Sequence, residues 1–218
     1  VAMAALLYSK YHGLLLIGFT FLSNPRLALR PRFYLASGLG LALFFPHLYW
    51  QYAHDFPSFR YHLVGRDDPY ELKHTVTYLV NQLIIFNPLF LPFLARALDW
   101  RNWRTGGLER AFLFTVFGFW IFFFLTTFKG HAEPQWTAVL SIPLVYFLFH
   151  HALRNEWGGR WLRRLGLLSF VLFLGARLTL LVPALAFNFN KEFHRQAWTF
   201  ELRALADGHP VVFQNSYR

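Results

Sequence analysis

Three short stretches concentrate side chains able to do chemistry. In Ser9-Lys10-Tyr11-His12-Gly13, a lysine lies half-way along an apolar run. Its ammonium suits an anionic group such as a lipid phosphate in a water-filled cavity, with Tyr11 and His12 beside it. The bland alternatives are a lysine whose head reaches the interface along its own stem, or a helix that starts elsewhere. The stretch from Pro46 to His62 interleaves aromatic rings with His, Gln and Arg. Tyr49 and Trp50 can stack on a sugar, and Arg60 and His62, on a short amphipathic loop helix, can bind its hydroxyls; the same rings also fit an interfacial aromatic belt. In Lys129-Gly130-His131-Ala132-Glu133-Pro134-Gln135-Trp136, a cation, an imidazole and a carboxylate fall within five residues. Lys129 suits a phosphate, and His131 with Glu133 suits a hydroxyl or an acceptor, against a solvated turn whose Glu caps the next helix.

Other chemistries find little support. Cysteine is absent, so neither a disulfide nor a thiolate metal site is expected. His131 with Glu133, or His54 with Asp55 and His62, lack helical ligand spacing, so no metal site is assigned, and the need for a divalent ion is left open. No glycine-rich phosphate loop occurs, and Gly38 and Gly40 read as helix-packing positions. Arg177, deep in an apolar run, is either the partner of a buried acid or a cation facing a cavity.

The elements that must hold these groups are membrane helices. The 218 residues are 56% hydrophobic, 21% aromatic and 15% charged, far from a soluble domain. Spanning needs roughly 20 apolar residues, and six stretches qualify: about 1–22, 33–53, 75–95, 111–128, 136–153 and 165–187. The net charge of +10 is banded along the chain. Arg26, Arg30 and Arg32, then Arg96, Arg101, Arg104 and Arg110, then Arg154, Arg160, Arg163 and Arg164 fill alternate connections. The positive-inside bias puts those in the cytoplasm and the 54–74 loop, the 129–135 loop and the C-terminal tail outside. Topology thus accounts for the basic charge, and nucleic-acid binding is not expected. Trp100, Trp103, Trp157 and Trp161 flank the arginines as headgroup anchors, and Pro46, Pro88, Pro92, Pro143 and Pro183 interrupt spans in a manner membrane helices tolerate.

Residues 1–188 therefore read as a transmembrane helical domain, and 189–218 as the start of an extracytoplasmic one. Asn190 to Ala206 patterns as an amphipathic helix, and Asp207-Gly208-His209-Pro210 as a turn before a strand at Val211-Val212-Phe213. The opening at Val1 inside an apolar run, and the stop at Arg218 after that strand, read as a piece of a longer chain. The fold class expected is an all-α polytopic membrane protein with the start of a small α/β domain.

Leu7 to His12, Phe45 to Leu63, the Phe86-Asn87-Pro88 break, the Glu133-Pro134-Gln135-Trp136 turn and the tail from Trp198 to Tyr217 together resemble a known family. It is that of bacterial dolichyl-phosphate-mannose-protein mannosyltransferase-like membrane glycosyltransferases, of the family 39 type and GT-C fold, relatives of the lipid A aminoarabinose transferase. The resemblance implies a bacterial inner-membrane enzyme that moves a sugar from a polyprenyl-phosphate carrier to a lipid, glycan or protein acceptor outside the cytoplasm, with no separate cofactor. It implies a catalytic Asp in a first outer loop upstream of Val1. It also implies supporting roles for Lys10 and Lys129 at the phosphate, and for His131 and Glu133 at the cavity or acceptor. Tyr49, Trp50, Arg60 and His62 are then sugar or lipid contacts. A lipid-linked sugar flippase and a non-enzymatic membrane scaffold are the competing classes. A transporter is expected to carry paired broken helices, and no internal duplication is evident in the sequence.

Overall fold

The first apolar run folds as two helices in place of the single span expected over 1–22. α1 (Ala2–Ser9) and α2 (Gly13–Ser23) are separated by Lys10, whose backbone is extended at φ −160° and ψ 142°. The Leu6 carbonyl closes α1 by accepting from Ser9 Oγ at 2.7 Å and from the Lys10 N–H at 3.2 Å. α2 begins where Gly13 N–H donates to the Lys10 carbonyl at 2.9 Å. A Cβ on buried Gly13 would lie 2.7 Å from Leu6 Cγ and 2.8 Å from the Leu6 oxygen, an approach that only glycine permits. Gly13→Ala is therefore expected to destabilise the fold by about 1–3 kcal/mol. The control Gly18→Ala, where nothing lies within 4 Å of the new carbon, leaves the unfolding midpoint unchanged or slightly raised. Equal midpoints for the two variants would argue against a tight break.

The structure, a computed structural model, describes residues 1–63, 69–98, 107–154, 156–179, 195–207 and 209, with the backbone alone for 61–63 and 195–199. It is helical throughout, with no strand among the described residues. After a 3-10 turn at Pro25–Leu29, α3 (Pro31–Ala53) runs against α1. Its inward stripe is Gly40, Phe44, His47 and Gln51, at steps of four, three and four residues. Pro46 sits inside α3 without ending it. A proline cannot donate to the carbonyl four residues back, and the neighbouring Leu43 carbonyl accepts from Tyr8 Oη at 3.1 Å. Asp55 and Phe56, both at positive φ, turn the chain into α4 (Pro57–Leu63).

α5 (Leu72–Ile85) ends at Phe86-Asn87, and α6 (Leu91–Ala97) departs at 75° after a short turn at Pro88–Phe90. Asn87 takes φ 61°, and its Oδ1 accepts from the Leu89 N–H at 3.1 Å. Asn tolerates that conformation, while the following Pro bars the helical one. The expected span over 75–95 is thus a bent pair. α7 (Leu108–Thr126) is the central helix: Leu113, Val116, Phe119 and Phe123 are almost wholly buried. It packs closely on α2, where the Phe19 ring lies over Gly118. A 3-10 turn, Thr127–Lys129, leads through Gly130 at φ 143° to a second, Pro134–Leu140, which continues into α8 (Ser141–Arg154). α8 also packs on α6.

The segments Leu108–Lys129 and Pro134–Arg154 are long and apolar enough to cross a membrane, and the bent pair makes a third if it counts as one span. α8 shows the pattern: Leu144 and Phe147 are buried, while Ile142, Val145 and Phe149 are 60–67% exposed on its other side, as suits a lipid-facing surface. Of the other expected spans, 1–22 is broken. Pro31–Ala53 has the length of a span, but His47, Gln51 and its tyrosines lower its hydropathy. For 165–187, α9 (Glu156–Thr179) starts nine residues earlier, and residues 180–187 lie outside those described.

The chain divides into two units, Val1–Leu162 and Arg163–Arg218. In the second, Arg177 lies with its guanidinium 5.3 Å from the centre of the Phe173 ring, one turn back on the same helix. α10 (Arg195–Ala206) forms within the stretch expected to be an amphipathic helix. The strand expected at Val211-Val212-Phe213 and the expected domain boundary at 188/189 lie outside the described residues.

Candidate functional site

The break between α1 and α2 presents Tyr11 and His12 to opposite neighbours. Tyr11 is half-buried, and its hydroxyl lies 2.6 Å from His47 Nε2 and donates towards Ser58 Oγ at 3.0 Å. Gln51, wholly buried, donates one amide hydrogen to Tyr11 Oη at 2.6 Å and the other to Ser58 Oγ at 2.8 Å. Its Oε1 accepts from the Ser58 N–H at 3.3 Å. A tyrosine has one proton to give, so while Tyr11 donates to Ser58, His47 Nε2 must be the donor in its own contact with Tyr11 Oη. This network binds the broken first helix to the last turns of α3 and the first turn of α4, across 36 to 47 residues of sequence.

His12 faces the other way. Its ring lies 5.2 Å from that of Phe123 on α7 and 5.1 Å from that of Trp136, centre to centre. Trp136 in turn lies 5.4 Å from Phe123. The 129–136 loop and the turn before it are also tied to α5: Thr75 and Thr127 hydroxyls hydrogen-bond at 2.9 Å, and the rings of His74 and His131 lie 6.2 Å apart. The first and third chemical stretches therefore meet around His12 and Trp136, and the second joins them through Tyr11.

Within this frame the cations stay open. Lys10 and Lys129 are exposed, one on extended backbone and the other ending the turn after α7. His131 is exposed; Glu133 is half-buried at the head of the Pro134 turn and makes no capping hydrogen bond there. Trp50 stacks on His54 at 4.6 Å and on His47 at 5.9 Å while remaining exposed. The side chains of Tyr49 and Arg60 are exposed and make no ring or hydrogen-bond contact among the described residues. His62 is on α4, and its side chain lies outside those described. Glu71 and Lys73, before and in the first turn of α5, form an exposed ion pair, and that hydrogen bond holds the Glu71 carboxyl below its ordinary range. Among the described residues no group of three His, Asp or Glu is placed to hold a metal ion.

No family model, curated protein or solved structure matches the chain.

The arrangement itself offers a defined chemistry. Exposed Lys10 adjoins, in the chain, the hydrogen-bonded Tyr-His-Ser-Gln cluster, and exposed Lys129 and His131 share with half-buried Glu133 the loop that meets His12 through Trp136. Cations of this kind stabilise charge that develops on a departing phosphate, the more so where the surroundings are of low dielectric. Gln51, Ser58 and Thr127 were not singled out as site residues from the sequence. For Gln51 a signal exists: it ends the inward stripe of Gly40, Phe44 and His47 on α3, where a buried amide requires partners.

Proposed function

We propose that this chain is the membrane part of a glycosyltransferase that takes a sugar from a polyprenyl-phosphate carrier and passes it to an acceptor on the extracytoplasmic face of a bacterial inner membrane. In this reading the Arg-rich connections are cytoplasmic, the remaining expected spans also cross the membrane, and the site around His12 opens outward. One observation carries it: the broken first helix and the 129–136 loop, far apart in sequence, meet through His12 and Trp136 and leave Lys10 and Lys129 exposed. Lys10 and Lys129 hold the lipid phosphate. His131 and Glu133 hold the acceptor, and Tyr49, Trp50, Arg60 and His62 contact sugar or lipid.

Membranes containing the full-length protein, supplied with radiolabelled polyprenyl-phosphate sugars, test this reading. Lys129→Ala is expected to lower label transfer about 100-fold, the scale seen when one charge-stabilising group is removed, and Glu133→Gln is expected to lower it as well, with expression unchanged. Transfer that survives both changes counts against the site.

The two broken helices, at Lys10–His12 and at Phe86–Asn87, favour a second reading, a flippase for the lipid-linked sugar, because transporters place substrate at discontinuous helices. Intact carrier that crosses the bilayer while no label leaves it would select that reading over transfer.

A further inference from the structure

Tyr78 and Gln82 on α5, and Phe86, which caps its end and donates its N–H to the Gln82 carbonyl, are four residues apart and so lie one above the other on one face. The outer two both meet Trp120 of α7: Tyr78 Oη donates to the Trp120 carbonyl at 3.0 Å, and the Phe86 ring lies 6.0 Å from the indole. Gln82, between them, therefore lies on the wall that faces Trp120. Here the apolar packing is interrupted by polar atoms in want of partners. Gln82 Nε2, Gln82 Oε1 and Trp120 Nε1 are all buried and have no hydrogen-bond partner among the described residues. Because both ends of the amide are unmatched, turning it over changes nothing. Buried polar groups are almost always paired, and inside a bilayer no bulk water is at hand to pair them.

We infer that Gln82 and Trp120 form a binding site for a hydroxyl group within the bundle. The three atoms comprise two donors and one acceptor. A hydroxyl both accepts and donates and so serves both kinds. A bare cation would face the indole N–H and the amide N–H. A carboxylate or phosphate would face Oε1 and also the carbonyl end of α5, which finishes one turn beyond Gln82 and carries negative partial charge. The hydroxyl comes either from a trapped water or from a lipid headgroup. This inference stands apart from the transferase reading, and its test uses no sugar.

Two near-isosteric changes in the full-length protein test it: Gln82→Met, and Trp120→3-benzothienylalanine, which keeps the ring shape and lacks the N–H. If a hydroxyl occupies the site, each change strands it and lowers the unfolding midpoint by roughly 2–4 °C, and the double variant loses less than the sum of the two. If the atoms are simply orphaned, each change relieves them; midpoints that are unchanged or raised in both variants overturn the proposal. Should Gln82→Met fail to fold, the benzothienyl variant alone decides by the same sign. Two preparations separate the sources. A loss that persists in lipid-free amine-oxide detergent, which carries no hydroxyl, assigns the group to water. A loss seen only in vesicles containing phosphatidylglycerol, and not in phosphatidylcholine alone, assigns it to a headgroup.

Discussion

Gln51→Leu is expected to lower the stability of the Val1–Leu162 unit by about 2–4 kcal/mol, since each buried group left without its partner costs about 1–3 kcal/mol. Leucine fills most of the volume, so the loss comes from hydrogen bonding. Tyr11 Oη and Ser58 Oγ each lose the donor they have at 2.6 and 2.8 Å, and the Ser58 N–H loses its acceptor. Tyr11→Phe removes the hydroxyl at the centre of the same network, and its effect should overlap with that of Gln51→Leu. A double-mutant cycle by reversible unfolding in mixed micelles should return a coupling of about 1 kcal/mol or more. Additive losses would mean that Tyr11 and Gln51 act separately and that α3 does not hold the break in place. Under the proposed transferase reading, label transfer should fall in both Gln51→Leu and Tyr11→Phe, because Lys10 and His12 flank the residue that anchors them.

Gly118→Ala is the second large effect, expected at about 1–3 kcal/mol. A Cβ there would lie 2.5–2.6 Å from three atoms of the Phe19 ring, including Cγ. Cγ is fixed by the short Phe stem and cannot swing aside as the tip of a long side chain can. Phe19 also lies against Phe119, with ring centres 5.8 Å apart, so the ring has no easy retreat. The remedy is specific: Phe19→Leu, harmful alone because it leaves a cavity, should restore part of the loss when combined with Gly118→Ala. Unfolding midpoints of the four proteins measure this. If the pair proves no better than the sum of its parts, Gly118 does not serve as the socket for Phe19.

Some of this architecture was legible in the sequence for simple reasons. The expected spans over 111–128 and 136–153 coincide closely with Leu108–Lys129 and Pro134–Arg154, because length and apolarity suffice to identify a membrane helix. The helix over 33–53 was equally plain in extent, as was the turn at Pro88. The break at Lys10–His12 was not, although its polar residues interrupt an apolar run. A helical run of three polar residues does not reveal whether the chain bends, and what permits the bend here is the contact between Gly13 and Leu6. Pro46 reads in the sequence as an interruption that a membrane helix tolerates, and α3 does continue through it, with Tyr8, 35 residues away, bonded to the neighbouring Leu43 carbonyl.

The candidate site was legible in its parts and not in their meeting. Lys10, His12, Lys129 and His131 stand out by residue type in apolar surroundings. That His12 should meet Trp136, and Tyr11 meet Ser58, depends on how α2 packs on α7 and α1 on α3. Such pairings are set by side-chain fit across helices and leave no periodic trace in one chain.

The bend at Asn87 bears on how the protein enters its bilayer. The 14 residues of α5 reach about 21 Å and fall short of a hydrocarbon layer of roughly 30 Å; α6, with seven, is shorter still. Neither half can settle in lipid by itself during synthesis. The lock that holds α5, Tyr78 on the Trp120 carbonyl, belongs to a helix the ribosome makes later. Read as one span, the two halves must cross together, and the hydrogen bond from Tyr78 to α7 can form only once that later helix has been made.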